Sequence, residues 1–378
     1  MSSDGTGRSV RLDPIQGVLE ILDRAAMTGT NKLGLLLTLL DLAPTLDGDA
    51  ATISPIRVAE RYLEIHWEHV RPYQGVTLRQ SSARKERGDG TTADDTTVMQ
   101  EVHRLRTLLT ERRRGDLRDK PLEFVKRSIE RLEWHSDWEE ASETALARVR
   151  ASLLKNPVRL LQQLPGNPDP FLYDSPSGRE GLTLLPGVAE SLTRFAGILR
   201  PLIEFRFAQE VVRINHETLN LPVDDVYSHL FGHERIMPPQ KMRERLVQIQ
   251  QGRCIFTGAS LPTAGDSLEL DHVVPWSRAR LSQVENFLMT TRSVNSTKSD
   301  SMLGPAAIER WLRHLDANSA AIRDCAHEHN WPSNLHSVRQ VVLHMYEALD
   351  ATTGVWEFDR GIQPLGNDGK SRVIALLR

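Results

Sequence analysis

Apolar residues recur at helical spacing over the first two-thirds of the chain. Between Asn31 and Ala43 they occupy most of the circumference, the pattern of a helix buried on all sides. Ser54-Pro55 supplies an N-cap followed by proline at the first helical position. A helix is predicted from there to about His69, with Ile56, Ala59, Leu63 and Trp67 at helical spacing. Further helices are predicted over 97–110, 121–134, 139–155 and 187–214, the last with a kink at Pro201. Gln80 to Thr97, charged and rich in small residues, predicts an exposed loop, and the proline-rich stretch Asn156 to Pro186 predicts a connector.

From about Pro238 the pattern changes. An amphipathic helix, Gln240 to Gln251, runs into Gly252–Gly258. Two brief strand-like runs follow, Leu268–Leu270 and Phe287–Thr290, then a polar, helix-initiating segment from Ser293 to Met302. After Gly304-Pro305 helical spacing returns, through Trp311, Leu312 and Leu315 and later Val338, Val341, Val342 and Met345. The tail, Gly354–Arg378, predicts irregular structure ending in an apolar strand or helix at Val373–Leu377. The expected fold class is mainly α: a helical N-terminal region (1–237), a small core with two short strands (238–304) and a helical C-terminal extension packing on that core (305–378).

Composition narrows the setting. With 378 residues, two or three domains are expected. The longest apolar run, Leu33–Leu40, ends at Asp41 and is far short of the ~20 residues a membrane helix needs. No apolar signal-peptide core follows Met1, and two isolated cysteines, Cys254 and Cys325, cannot build a disulfide framework or a four-cysteine zinc site. A soluble protein of a reducing cytoplasm, without membrane partners, is expected. The 47 Lys+Arg against 50 Asp+Glu give a formal charge of −3, which argues against a wholesale nucleic-acid coat. Locally, Arg104–Arg131 carries ten basic residues against five acids. That excess leaves two readings open, a solvated helical face or a phosphate-binding surface that, with the loop 80–97, gates a site.

The chemistry concentrates in Leu268-Glu-Leu-Asp271-His272-Val-Val-Pro275-Trp-Ser277, Glu285-Asn286-Phe-Leu-Met-Thr290 and Ser293-Val-Asn295-Ser-Thr-Lys298. One carboxylate, one imidazole, two carboxamides and a cation fall within thirty residues. The donors are hard oxygens plus one base, suited to Mg²⁺ or Mn²⁺ rather than thiol-bound zinc. Successive strand residues project to opposite sides, so Asp271 and His272 can serve different roles.

In order and type, this segment resembles the HNH endonuclease motif, over roughly Gly252 to Met302. The resemblance implies a ββα-metal core that hydrolyses phosphodiesters of DNA, duplex by preference. It implies Asp271 and Asn295 as metal ligands and His272 as the general base. Asn286 would fix the loop that aims His272, Lys298 would contact phosphate, and Arg278, Arg280 and Arg292 would hold neighbouring phosphates. Trp276 reads as a hydrophobic plug beneath the loop. Many relatives carry Cys-x-x-Cys pairs around the motif; here Thr257 stands where the second cysteine would be, so no structural zinc is expected and Cys254 and Phe256 read as core.

The whole-chain outline looks like stand-alone bacterial HNH nucleases of restriction and anti-phage defence, including the nuclease component of Zorya-type systems, with other defence proteins as partners. One site per chain cuts one strand, so a monomer is expected to nick and a homodimer is a second route to a double-strand break. An RNA-cleaving HNH enzyme and a binding subunit with an inactive nuclease fold are the alternatives. The pairs His229/His233, His66/His69 and His327/His329 read as surface or capping histidines, and Gly366–Ser371 as a surface turn.

Overall fold

The computed structural model describes residues 12–46, 51–82, 85–86, 92–93, 96–166, 169–174, 181–217, 219–232, 237–262 and 268–378. Its first part comprises α1 (Pro14–Arg24), α2 (Asn31–Leu42), β1 (Thr52–Ile53), α3 (Pro55–His69), β2 (Lys85–Glu86), β3 (Thr92–Ala93) and α4 (Thr97–Glu111). α5 (Leu122–Ile129), α6 (His135–Lys155), α7 (Pro157–Leu160), β4 (Leu182–Thr183), α8 (Val188–Asn215) and α9 (Val223–Phe231) complete it. The molecule is mainly α, as its periodicity predicts.

α2 is the hub of the first core. Seven of its leucines are buried, and it packs between α3 and α8. Gly34 permits the close approach to α3, because a Cβ there would lie 2.8 Å from His66 Cε1 and 2.9 Å from Tyr62 Cε2. α3 starts where the Ser54-Pro55 signal places it, with Ser54 Oγ accepting from Arg57 N at 3.4 Å. α8 continues through Pro201 to Asn215.

Two expectations for this part are corrected. Residues 156–186 are no simple connector. Phe171, Leu172 and Tyr173 are buried, their three backbone N–H groups all donate to Gln162 Oε1, and β4 pairs antiparallel with β1. His66 and His69 do not lie on the surface. Both are fully buried, facing the rings of Phe207 and Phe231, because the inward face of α3 carries Tyr62, His66 and His69 at i, i+4 and i+7. His233 and half of the loop 80–97 lie outside the described residues.

A second hydrophobic core spans Met242 to Leu377. It is built from α10 (Gln240–Ile249), β5 (Leu268–His272), β6 (Phe287–Thr291), α11 (Arg292–Lys298), β7 (Met302–Leu303), α12 (Pro305–Glu328), α13 (Leu335–Ala348), β8 (Gly354–Glu357), β9 (Gly361–Pro364) and α14 (Asn367–Leu377). The tail, expected to be largely irregular, is instead the hairpin β8–β9 followed by α14. β8 pairs in parallel with β7 and buries Val355 and Trp356, so this strand forms because the chain just after α11 supplies a partner. The Gly366–Ser371 stretch opens α14, and Lys370 Nζ donates to the carbonyls of Glu347 and Leu349 at the end of α13. Among the described residues no helix is long and apolar enough to cross a membrane.

The two cores are joined by specific contacts. Arg194 on α8 donates to Ala348 O at 2.6 Å, and His344 on α13 bonds Pro44 O at 2.9 Å. Arg127 donates to Trp331 O at 2.6 Å, and Phe124 meets the Trp331 ring edge-on at 4.8 Å.

Candidate active site

β5 and β6 form a two-stranded antiparallel ladder in which Asp271 lies opposite Leu288 and His272 opposite Phe287. The connecting loop, 273–283, is fixed by Asn286. Its Oδ1 accepts from Val274 N at 2.8 Å, and its Nδ2 donates to Val274 O at 3.2 Å and Leu281 O at 3.1 Å. Fully buried and spent on the loop backbone, Asn286 acts on the site through the loop's shape. The far edge of β6 is held by Gln250, whose side chain pairs with both backbone groups of Met289. Glu285 anchors the start of β6 to Ser333 and Asn334. Neither residue carries a sequence signal, since each acts on a backbone group far along the chain.

α11 follows β6 directly, capped by Thr291. One turn apart, Asn295 and Lys298 share a face of this helix. Lys298 is buried, and its Nζ donates to Asp271 Oδ1 at 3.0 Å and to His272 O at 2.7 Å. Here the structure corrects one expectation. Lys298 is not presented to solvent as a phosphate contact; it is the internal partner of the Asp271 carboxylate and fixes the end of β5 to α11. Asn295 is half-buried one turn earlier on the helix that Lys298 pins to Asp271.

His272 is 3% exposed. Its ring is flanked edge-on by Phe287 at 4.9 Å and by Trp276, half-buried, at 5.8 Å. Trp276 in turn lies under the Arg280 guanidinium, 5.2 Å from the ring centre.

The three arginines expected to hold phosphates part company. Arg280 is a correction: it is nearly buried and ion-paired with Glu204 of α8. Glu204 also accepts from Tyr227 Oη at 3.1 Å and lies 3.8 Å from Arg200, which pairs with Asp41. Burial opposes the charge on Asp41, but Arg200, Arg61 and Arg280 hold its carboxyl down to about 2. Arg280 is thus a strut between the loop and the helical core. Burial lowers the affinity of Arg278 for its proton, with Asp300 and Tyr346 opposing, and its stem lies beside Gly197 of α8. Arg292 is well exposed, 3.4 Å from Glu269.

Of the paired side chains in the basic run 104–131, only Arg106 is buried; the others form ion pairs at or near the surface. Arg104 pairs with Glu101, Arg106 bonds Trp67 O, Arg112 pairs with Asp137, Arg114 with Asp116, and Lys126 with Glu64. Nearby, Ser282 donates to Glu123 at 3.2 Å. Burial beside Glu64 raises the pKa of Glu123, in a cavity of about 120 Å³ shared with Trp276 and Arg280.

Among the described residues, no three His, Cys, Asp or Glu side chains cluster as metal ligands. A metal here would rest on one carboxylate, one carboxamide and water. That donor set fits Mg²⁺ or Mn²⁺, which keep several waters, and does not fit a closed zinc site. Cys254 and Cys325 are both buried in the second core.

Residues 254–303 match a family model described as HNH endonuclease. The match runs from Cys254 through β5, β6 and α11 to the end of β7, and it supports a metal-dependent nuclease activity. No curated protein and no solved structure matches the chain.

Proposed function

We propose that residues 238–304 hydrolyse phosphodiester bonds of duplex DNA, one strand per event, and that the protein serves restriction or phage defence. The observation that carries this reading is the junction of β5 with α11. Asp271 and His272 end the strand, and Lys298 ties both to the helix that bears Asn295, within the stretch matching the nuclease family. On this reading residues 1–237 choose or restrain the substrate, and 305–378 complete the core.

Asp271 and Asn295 would hold a Mg²⁺ or Mn²⁺ ion, which would supply charge neutralisation for the phosphate and the leaving oxygen. His272, neutral, takes a proton from the attacking water at a ring nitrogen. The resulting hydroxide bonds to phosphorus, the P–O bond to the leaving sugar breaks, and the departing oxygen takes a proton from solvent. Lys298 holds Asp271, Asn286 shapes the loop, and Arg292 meets a flanking phosphate.

The burial of His272 favours a second reading, a nucleic-acid-binding or partner-binding subunit whose nuclease fold does not cut. A plasmid-nicking assay with and without Mg²⁺ separates the two. Nicking that needs the ion and falls about 10²–10⁴-fold in His272→Ala, with DNA binding retained, supports the enzyme. Binding without any cleavage supports the second reading, and nicking that survives His272→Ala refutes the assignment of the base. RNA cut in preference to plasmid would change the substrate.

A further inference from the structure

α8 is apolar on the face it turns outward. From Phe195 to Phe205 every exposed position is apolar: Phe195, Ile198, Pro201, Leu202 and Phe205. Ile198 is 64% exposed, and Leu19 of α1, which packs along α8, is exposed as well. Other exposed large hydrophobics, such as Val76 and Ile362, lie on other elements and need no partner. A surface helix ordinarily turns charge to water, and a contiguous apolar patch on it marks an interaction site. The flanking arginines bring little free charge. Arg194 is paired with Glu190 and bonded to Ala348 O, and Arg206 donates to Leu22 O beside Glu210.

We infer that a second copy of this chain covers this face, in an antiparallel two-fold pairing of α8 with α8. Pro201 aside, the four large side chains of the stripe read the same in both directions. They are spaced three, four and three residues apart and run aromatic, aliphatic, aliphatic, aromatic. A two-fold axis at the level of residue 200 sets Phe195 of each copy against Phe205 of the other, and Ile198 against Leu202. That is the reciprocal contact an isologous interface requires. The exposed parts of the four side chains and Leu19 amount to about 400 Å² of apolar surface, taking large side chains at roughly 150–250 Å² each. This is about half of the ~800 Å² that each partner contributes to a standard interface, and so close to its apolar share. Residues 1–11, the segment adjoining α1, have only Met1 and Val10 as large apolar residues and make a poor cover. Because Gly197 and Glu204 on the flank of α8 meet Arg278 and Arg280, the pairing would bring two nuclease loops to one assembly.

The test is the mass of the full chain in solution by sedimentation, alone and with two variants. The wild type is expected at twice the 42.7 kDa of one chain. Ile198→Glu and Leu202→Lys, both at exposed positions, should each run as monomers with unchanged circular dichroism. Mixed together they should dimerise again, since residue 198 of one copy faces residue 202 of the other. A monomeric wild type, a dimer that either variant leaves intact, or a mixture that stays monomeric would each overturn the pairing. The mass does not depend on cleavage, so the result stands apart from the nuclease reading.

Discussion

Asn286→Ala deletes three hydrogen bonds that hold the loop 273–283 against β6. At about 1 kcal/mol net for each neutral hydrogen bond, their loss costs about 3 kcal/mol. The Val274 N–H is buried, and losing its acceptor adds roughly 1–2 kcal/mol of uncompensated desolvation. The second core should therefore lose about 3–5 kcal/mol, a large part of the 5–15 kcal/mol typical of a whole domain. Calorimetry should show its transition falling by roughly 10–15 °C. Hydrogen exchange locates the effect: the Val274 amide should lose protection while the amides of α2 keep theirs. Asn286→Asp is the isosteric control. It still accepts from Val274 N but turns a carboxylate toward the carbonyls of Val274 and Leu281. It should be at least as damaging at neutral pH and recover in part once the acid is protonated and can donate. A loss below about 1 kcal/mol with Val274 still protected would refute the account of Asn286 as the loop's clamp.

Burial holds His66 down to about 4, and burial together with the charges of His66, His229 and Arg71 depresses His69 well below its usual value. The unfolded chain therefore binds protons that the native state refuses, and stability should fall as pH drops from about 6.5 to 4, by about 3 kcal/mol from His66 alone. Urea midpoints of wild type and His66→Gln across that range check this; parallel curves would contradict it. Glu204→Gln removes the charge that holds Arg280 beneath α8, and breaking a buried pair typically costs about 3–5 kcal/mol. The second core should then melt ahead of the first, as two calorimetric transitions, and a single unshifted transition would count against the strut.

What the sequence makes legible is whatever local pattern decides. Ser54-Pro55 marks the start of α3, the all-round leucines of α2 mark a buried helix, and the order Asp271-His272, Asn286, Asn295 marks the strand–loop–helix core. Contacts decided by distant partners are not legible. Arg280 looks like a phosphate ligand until Glu204, 76 residues away, claims it. Lys298 looks surface-bound until β5 folds against α11 and buries it. The hairpin β8–β9 is too short to announce itself and forms because β7 offers an edge. His66 and His69 are polar residues at inward positions, where tertiary packing overrides the preference of their type.

The ammonium of Lys298 has one further consequence. Because this tethered cation already balances Asp271, the strand and helix that frame the centre are neutralised from within. A chelator should therefore silence such a centre without melting it, whereas a module stapled by zinc unravels when stripped. Returning the ion should restore activity on the timescale of binding, with no refolding step in between.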